Sequence, residues 1–160
     1  QRLGTYLGSP SIATGFVITT MLLFSGAGST FSERIPVSPR SHWFLFLLLP
    51  GVLLITLLLL NPILQMTAHL GLAARALVGL LIILPCSFLM GMPFPRGLRS
   101  LGAVAPGQAP WSWAINGCFS VLAAPLALLG ALSLGYQAVF FMAALAYLLA
   151  GLVSAPWIRG

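Results

Sequence analysis

Acid is almost missing from this 160-residue chain: Glu33 is its only carboxylate side chain, lysine is absent, and charged residues make up 5% of the whole. Soluble domains carry about a quarter charged residues, so the composition argues against a soluble single-domain fold. All seven cations are arginines, Arg2, Arg34, Arg40, Arg75, Arg96, Arg99 and Arg159, scattered between apolar runs. A nucleic-acid binder gathers its cations on one face; we expect no nucleic-acid partner and assign these charges to loops beside anionic lipid. Cysteine is scarce, and Cys86 and Cys118 lie inside apolar runs without metal-type spacing. They read as small packing residues, with no metal site. No cluster of positive charge precedes the first apolar run and no A-x-A site follows it, so a signal peptide is not expected. Neither a strand pattern nor an internal repeat is visible.

What is present is apolar length. Hydrophobic residues make up 59% of the chain, and mean hydropathy is +1.07. From Trp43 to Leu60 there is no charge and one hydroxyl, Thr56, and a run of about 18 such residues reads as a transmembrane helix. Dividing the chain at its turn formers predicts five spans near 11–31, 43–60, 72–92, 111–132 and 137–156. The expected fold is an all-α polytopic membrane protein, one membrane-embedded helical domain over 1–160. Pro36 and Pro39, Asn61-Pro62, and Pro93, Pro95, Pro106, Gly107 and Pro110 are read as ending the helices. Only Ser133–Tyr136 separates the last two spans, which demands an antiparallel hairpin. Pro50, Pro85 and Pro125 fall inside spans, where each removes a backbone donor and predicts a kink.

The loops after the first and third spans, with the C-terminus, carry Arg34, Arg40, Arg96, Arg99 and Arg159. The positive-inside rule places that side in the cytoplasm. Trp43, Trp111, Trp113 and Trp157 fall at span ends on the same side, as interfacial anchors do, while Tyr6 and Tyr136 mark the other interface. The expected orientation is N-terminus out and C-terminus in.

Helices in lipid associate through small residues and modest interhelical hydrogen bonds. Ser112, Asn116 and Ser120 recur at i, i+4 and i+8, a polar stripe expected to meet another helix of the same chain or complex. Comparable small residues are Ser25, Gly26, Gly28 and Ser29 in the first span, and Ala143, Ala146, Ala150, Gly151 and Ser154 in the last.

Four motifs carry a resemblance: Tyr6-Leu7-Gly8-Ser9-Pro10, Leu22-Leu23-Phe24-Ser25-Gly26-Ala27-Gly28-Ser29, Gly91-Met92-Pro93-Phe94-Pro95-Arg96-Gly97-Leu98-Arg99, and Trp111-Ser112-Trp113-Ala114-Ile115-Asn116-Gly117. Together the chain resembles the C-terminal membrane region of bacterial spermidine-synthase-like multipass proteins. That resemblance implies the bacterial inner membrane, a partner in a cytoplasmic aminopropyltransferase-like domain of the methyltransferase fold, and a membrane-anchoring, structural role for this portion. The chain opens on Gln1-Arg2, and is expected to be part of a longer one. Aminopropyl transfer needs a glycine-rich cofactor turn and acids for a polyamine; this segment has one acid and no strand-glycine-helix unit, so no catalytic residue is assigned to it and no cofactor is expected.

Pro93 and Pro95 are expected to force an extended exit from the membrane. Arg96 and Arg99, at i and i+3, would face one way on a short helix and form a headgroup-binding or docking loop. The stretch 91–102 is also similar to the arginine-glycine loop of major-facilitator carriers but lacks their aspartate. Glu33 is expected to pair locally with Arg34. His42 and His69 fall at opposite faces, about 30 Å of hydrocarbon apart, and are expected to be solvated rather than to share a haem. Cys86 and Cys118 lie at similar depth and are expected to stay unpaired. Two other functions stay open, an accessory subunit of a respiratory or photosynthetic complex and a fragment of a transporter.

Overall fold

Helix starts in this chain are written with serine and proline. Ser9 and Ser38 are extended N-caps whose hydroxyls accept the amides of Ile12 and Ser41, and Pro10 and Pro39 follow them at the first helical position. Proline suits that position because its missing N–H has no intrahelical partner there. The computed structural model describes residues 2–156. In order they form α1 (Arg2–Leu7), α2 (Pro10–Ser32), α3 (Pro39–Met66), α4 (Leu72–Met90), α5 (Pro93–Val104), a 3-10 turn (Pro106–Gln108), α6 (Ala109–Leu134) and α7 (Tyr136–Ser154). No strand occurs among the described residues. Trp157 and Arg159 lie outside them.

Among the described residues five stretches are long and apolar enough to cross a membrane: α2, α3, the Leu72–Val104 stretch that contains α4 and α5, α6 and α7. The protein is an all-α polytopic membrane protein. α4 alone, at 19 residues, rises about 28 Å and covers the hydrocarbon by itself. Its outer surface fits lipid: Leu58, Val121 and Val153 are each more than 70% exposed, and such a density of bare apolar side chains belongs against acyl chains.

Two expected boundaries are corrected. α3 continues through Asn61-Pro62 to Met66, because a proline removes one backbone bond and the preceding turns of a long apolar helix hold without it. Pro93 and Pro95 do not force an extended exit; they lie in the first turn of α5, where no donor is lost.

In space α2 packs on α4, α4 on α3, α3 on α7 and α7 on α6. The order therefore runs α2, α4, α3, α7, α6, with α3 in the middle. His42, Phe46, Leu49, Leu53, Leu57 and Leu64 of α3 are buried and recur at helical spacing, so one stripe faces its neighbours. α6 stands at the end of the row and buries none of its residues. Gly135, at φ 85°, is the only residue between α6 and α7. A positive φ is cheap only for glycine, and here it reverses the chain into the expected hairpin.

The α2–α4 crossing is the tightest. A Cβ on Gly28 would strike the Phe88 carbonyl, and one on Gly91 would strike the Ser25 carbonyl. Small residues let helix backbones close to this range in lipid.

At the end away from α5, α1 lies against α2 and α4. Tyr6, Leu7, Ala13 and Leu64 form a buried cluster there, with Leu3, Phe16 and Ala76 around it. Tyr6 and Thr67 hydroxyls pair at 2.7 Å, and Arg75 Nη1 donates to the Tyr6 carbonyl at 2.6 Å. Asn61 Nδ2 donates to the Tyr136 hydroxyl at 2.9 Å.

Candidate functional site

Because α4 and α6 are separated in the row by α3 and α7, the chain must cross between them. α5 makes that crossing at the arginine-rich end, as a strap. Two arginines fasten it to the α2–α3 loop. Arg99 donates from Nη1 to the Glu33 carbonyl at 3.0 Å and from Nη2 to the Ser32 carbonyl at 2.5 Å. Both acceptors belong to the C-terminus of α2, whose last carbonyls lack intrahelical partners and carry the negative end of the helix dipole. Arg99 is thus a cationic cap on a helix other than its own. One turn earlier, Arg96 Nη2 donates to Ser41 Oγ at 2.6 Å and reaches the Pro36 carbonyl at 3.5 Å. Ser41 is itself the N3 residue of the α3 capping box with Ser38, so one guanidinium ties α5 to the start of α3.

The two arginines differ in setting. Arg96 is 5% exposed, and the charged group acting on it is Arg99, of the same sign. Arg99 is half-buried, and its Nε is sealed off without a hydrogen-bond partner. Neither has a carboxylate partner among the described residues. The only acid, Glu33, is exposed and serves as the C-cap of α2 through its backbone. The expected Glu33–Arg34 pair is not formed among the described residues; both residues are exposed, and an exposed pair is worth little.

Beneath α5 lies a cavity of about 560 Å³, inside the ~300–1,000 Å³ range of ligand cavities. α3 supplies His42 and Phe46; α5 supplies Phe94, Arg96, Leu98 and Ser100; α6 supplies Ser112 and Asn116; α7 supplies Tyr147, Ala150 and Ser154. Phe94 meets the Trp113 ring edge-on at 4.8 Å between centroids, which closes α5 onto α6.

His42 is corrected from a solvated interfacial histidine to a buried one. It is 2% exposed, its Nε2 bonds the Gly151 carbonyl at 2.9 Å, and its ring lies 4.6 Å from that of Phe46. The α3–α7 approach explains this: a Cβ on Gly151 would come within 2.7 Å of Phe46 Cβ, so the glycine carbonyl is brought within reach of the ring. His69 is exposed beyond the far end of α3, so the two histidines are a helix length apart.

Of the predicted site residues, Pro93, Pro95, Arg96 and Arg99 do share one short helix. Ser112 and Asn116 share the cavity wall, whereas Ser120 does not reach it. Within this chain the expected seam between the stripe and another helix is not made among the described residues: Asn116 and Ser120 are exposed, and the serine hydroxyls bond back to the carbonyls of Gln108 and Asn116 on their own helix. Back-bonding of this kind satisfies a hydroxyl without any neighbour. Trp111 and Trp113 are exposed at the start of α6 and Trp43 is half-buried near the start of α3, edge-on to His42. Cys86 bonds Thr56 Oγ1 at 3.2 Å and Cys118 is exposed on α6; both thiols are free. No group of three metal-ligating side chains occurs among the described residues.

Fold and site together define a class: a polytopic helical membrane protein with an arginine-fastened amphipathic strap over an interfacial cavity. Comparison with protein-family models, with curated proteins and with solved structures finds no match to this chain.

Proposed function

We propose that this chain is a membrane-embedded anchoring module of a spermidine-synthase-like protein, seated in a bacterial cytoplasmic membrane with its N-terminus outside and its arginine-rich end in the cytoplasm. The strap carries the reading. A helix at the interface that Arg96 and Arg99 fasten to Ser32, Glu33, Pro36 and Ser41 is a rigid platform, and a fused cytoplasmic domain needs a surface that does not sway with the bilayer. Each charge-assisted bond of this kind contributes about 1.5–3 kcal/mol, well above thermal energy. The arginines of α5 and its flanking loops also suit a cytoplasmic leaflet rich in anionic lipid. The module's own work is mechanical: it holds the helices in a row and presents α5.

The test is the reading frame that contains residues 1–160. Expressed whole and fractionated, it should place an aminopropyltransferase-like domain in the membrane pellet, and deleting this segment should release that domain to the supernatant. A reading frame that encodes no methyltransferase-type domain overturns the proposal.

A further inference from the structure

We propose that the cavity under α5 binds one anionic glycerophospholipid, headgroup at Arg96 and acyl chains along the apolar wall. This assignment does not depend on what the chain is fused to. Arg96 makes the first argument. A guanidinium that is 5% exposed, has another arginine as its acting charge and meets no carboxylate among the described residues is a buried, uncompensated cation. Its hydrogen bonds to described residues use Nη2 alone and go to the neutral oxygens of Ser41 and Pro36; Nε and Nη1 bond no described residue, while Arg96 lines the cavity. Buried charges are stable when paired, and a phosphate in the cavity supplies the missing partner with the geometry guanidinium favours.

Depth makes the second argument. Ser112, Ser154 and Ser100 lie near helix ends on the arginine-rich side, whereas Phe46 and Asn116 lie seven residues inside the starts of α3 and α6, and Tyr147 seven residues before the end of α7. Seven residues rise about 10 Å. The cavity therefore runs from headgroup level two turns into the hydrocarbon, with Ser100, Ser112 and Ser154 at its mouth and Phe46, Asn116 and Tyr147 below. A free phosphate would leave that lower half unfilled; a lipid occupies both.

The polar groups favour a hydroxylated headgroup. Ser112 and Ser154 spend their hydroxyl hydrogens on the carbonyls of Gln108 and Ala150, so their oxygens remain as acceptors. Asn116 makes no side-chain bond to a described residue but lies two turns deeper, below the reach of the headgroup. Glycerol hydroxyls complement those acceptors, which singles out phosphatidylglycerol as the probe.

Native mass spectrometry of the full chain in detergent, titrated with phosphatidylglycerol, phosphatidylcholine or inorganic phosphate, tests this directly. One phosphatidylglycerol per chain should be retained, about tenfold more tightly than phosphatidylcholine. Arg96→Gln should lose that preference. Because Arg96 also fastens the strap, the deciding variant is Ala150→Phe, which fills the cavity from α7 and leaves the Ser41 and Pro36 contacts in place; it too should abolish retention, while Arg40→Gln, an exposed arginine at the same end, should not. Retention of lipid by a folded Ala150→Phe protein, or equal loss with Arg40→Gln, overturns the proposal. Saturation by inorganic phosphate at the same concentrations as lipid overturns the lipid as ligand.

Discussion

Gly28 of α2 and Gly91 at the end of α4 are reciprocal: each leaves room for the backbone that the other helix presents, the Phe88 carbonyl at one and the Ser25 carbonyl at the other. Backbone cannot rotate away as a side chain can. Gly28→Ala and Gly91→Ala should each destabilise the protein by about 1–3 kcal/mol, the usual cost of overpacking, read as a lower midpoint of thermal unfolding in detergent. Gly26→Ala, two residues from Gly28 with open space around it, should leave the midpoint unchanged or raise it slightly through helix propensity. Equal behaviour of the three variants would refute the close crossing.

Arg99 caps α2 from another helix, and its removal takes a charged donor from two carbonyls, of which that of Ser32 keeps the Ile35 amide. Arg99→Gln should cost about 1–3 kcal/mol and make the loop around Arg34 open to trypsin in the folded protein. Arg99→Lys keeps the charge but can serve only one carbonyl well, and should fall between the two. If Arg99→Gln were as protease-resistant as the parent, the cap would carry no weight.

His42 joins α3 to α7 through the Gly151 carbonyl. Phenylalanine there keeps the ring stacking on Phe46 and loses the hydrogen bond, so His42→Phe should cost about 1 kcal/mol, and His42→Ala, which also leaves a cavity, more than twice that. Thermal unfolding of the two variants in one detergent orders them.

Orientation is tested by labelling. In a Cys86→Ala, Cys118→Ala background, Val37→Cys on the α2–α3 loop and His69→Cys beyond α3 are both exposed and lie at opposite ends of α3. A membrane-impermeant maleimide should reach His69→Cys in intact cells and Val37→Cys only after lysis. The reverse pattern would invert the proposed topology.

The five spans and the hairpin were legible in the sequence because bilayer thickness fixes length and proline, serine and glycine punctuate it. Which face of α3 is inward was not. Hydropathy has phase only where polar and apolar residues alternate, and from Phe44 to Leu60 almost every residue is apolar, so the stripe through Leu49, Leu53 and Leu57 is set by packing alone. The same blindness hid the burial of His42, whose partner is a backbone carbonyl 109 residues away. Arg96 and Arg99 were visible as a pair at i and i+3, but their acceptors are carbonyls at the end of α2 and in the loop after it, and a serine hydroxyl, which leave no pattern in composition. The serine and asparagine stripe of α6 misled for the opposite reason: helical periodicity was present, yet serine can satisfy itself on its own helix.

The row order α2, α4, α3, α7, α6 interleaves early and late parts of the chain. During biosynthesis α3 enters the bilayer well before α7 has left the ribosome, so the imidazole of His42 must wait, unmet, for a carbonyl made 109 residues later. The row closes only when the α6–α7 hairpin slides into place, and a nascent chain halted before Tyr136 would display that unpaired ring as a mark of immaturity.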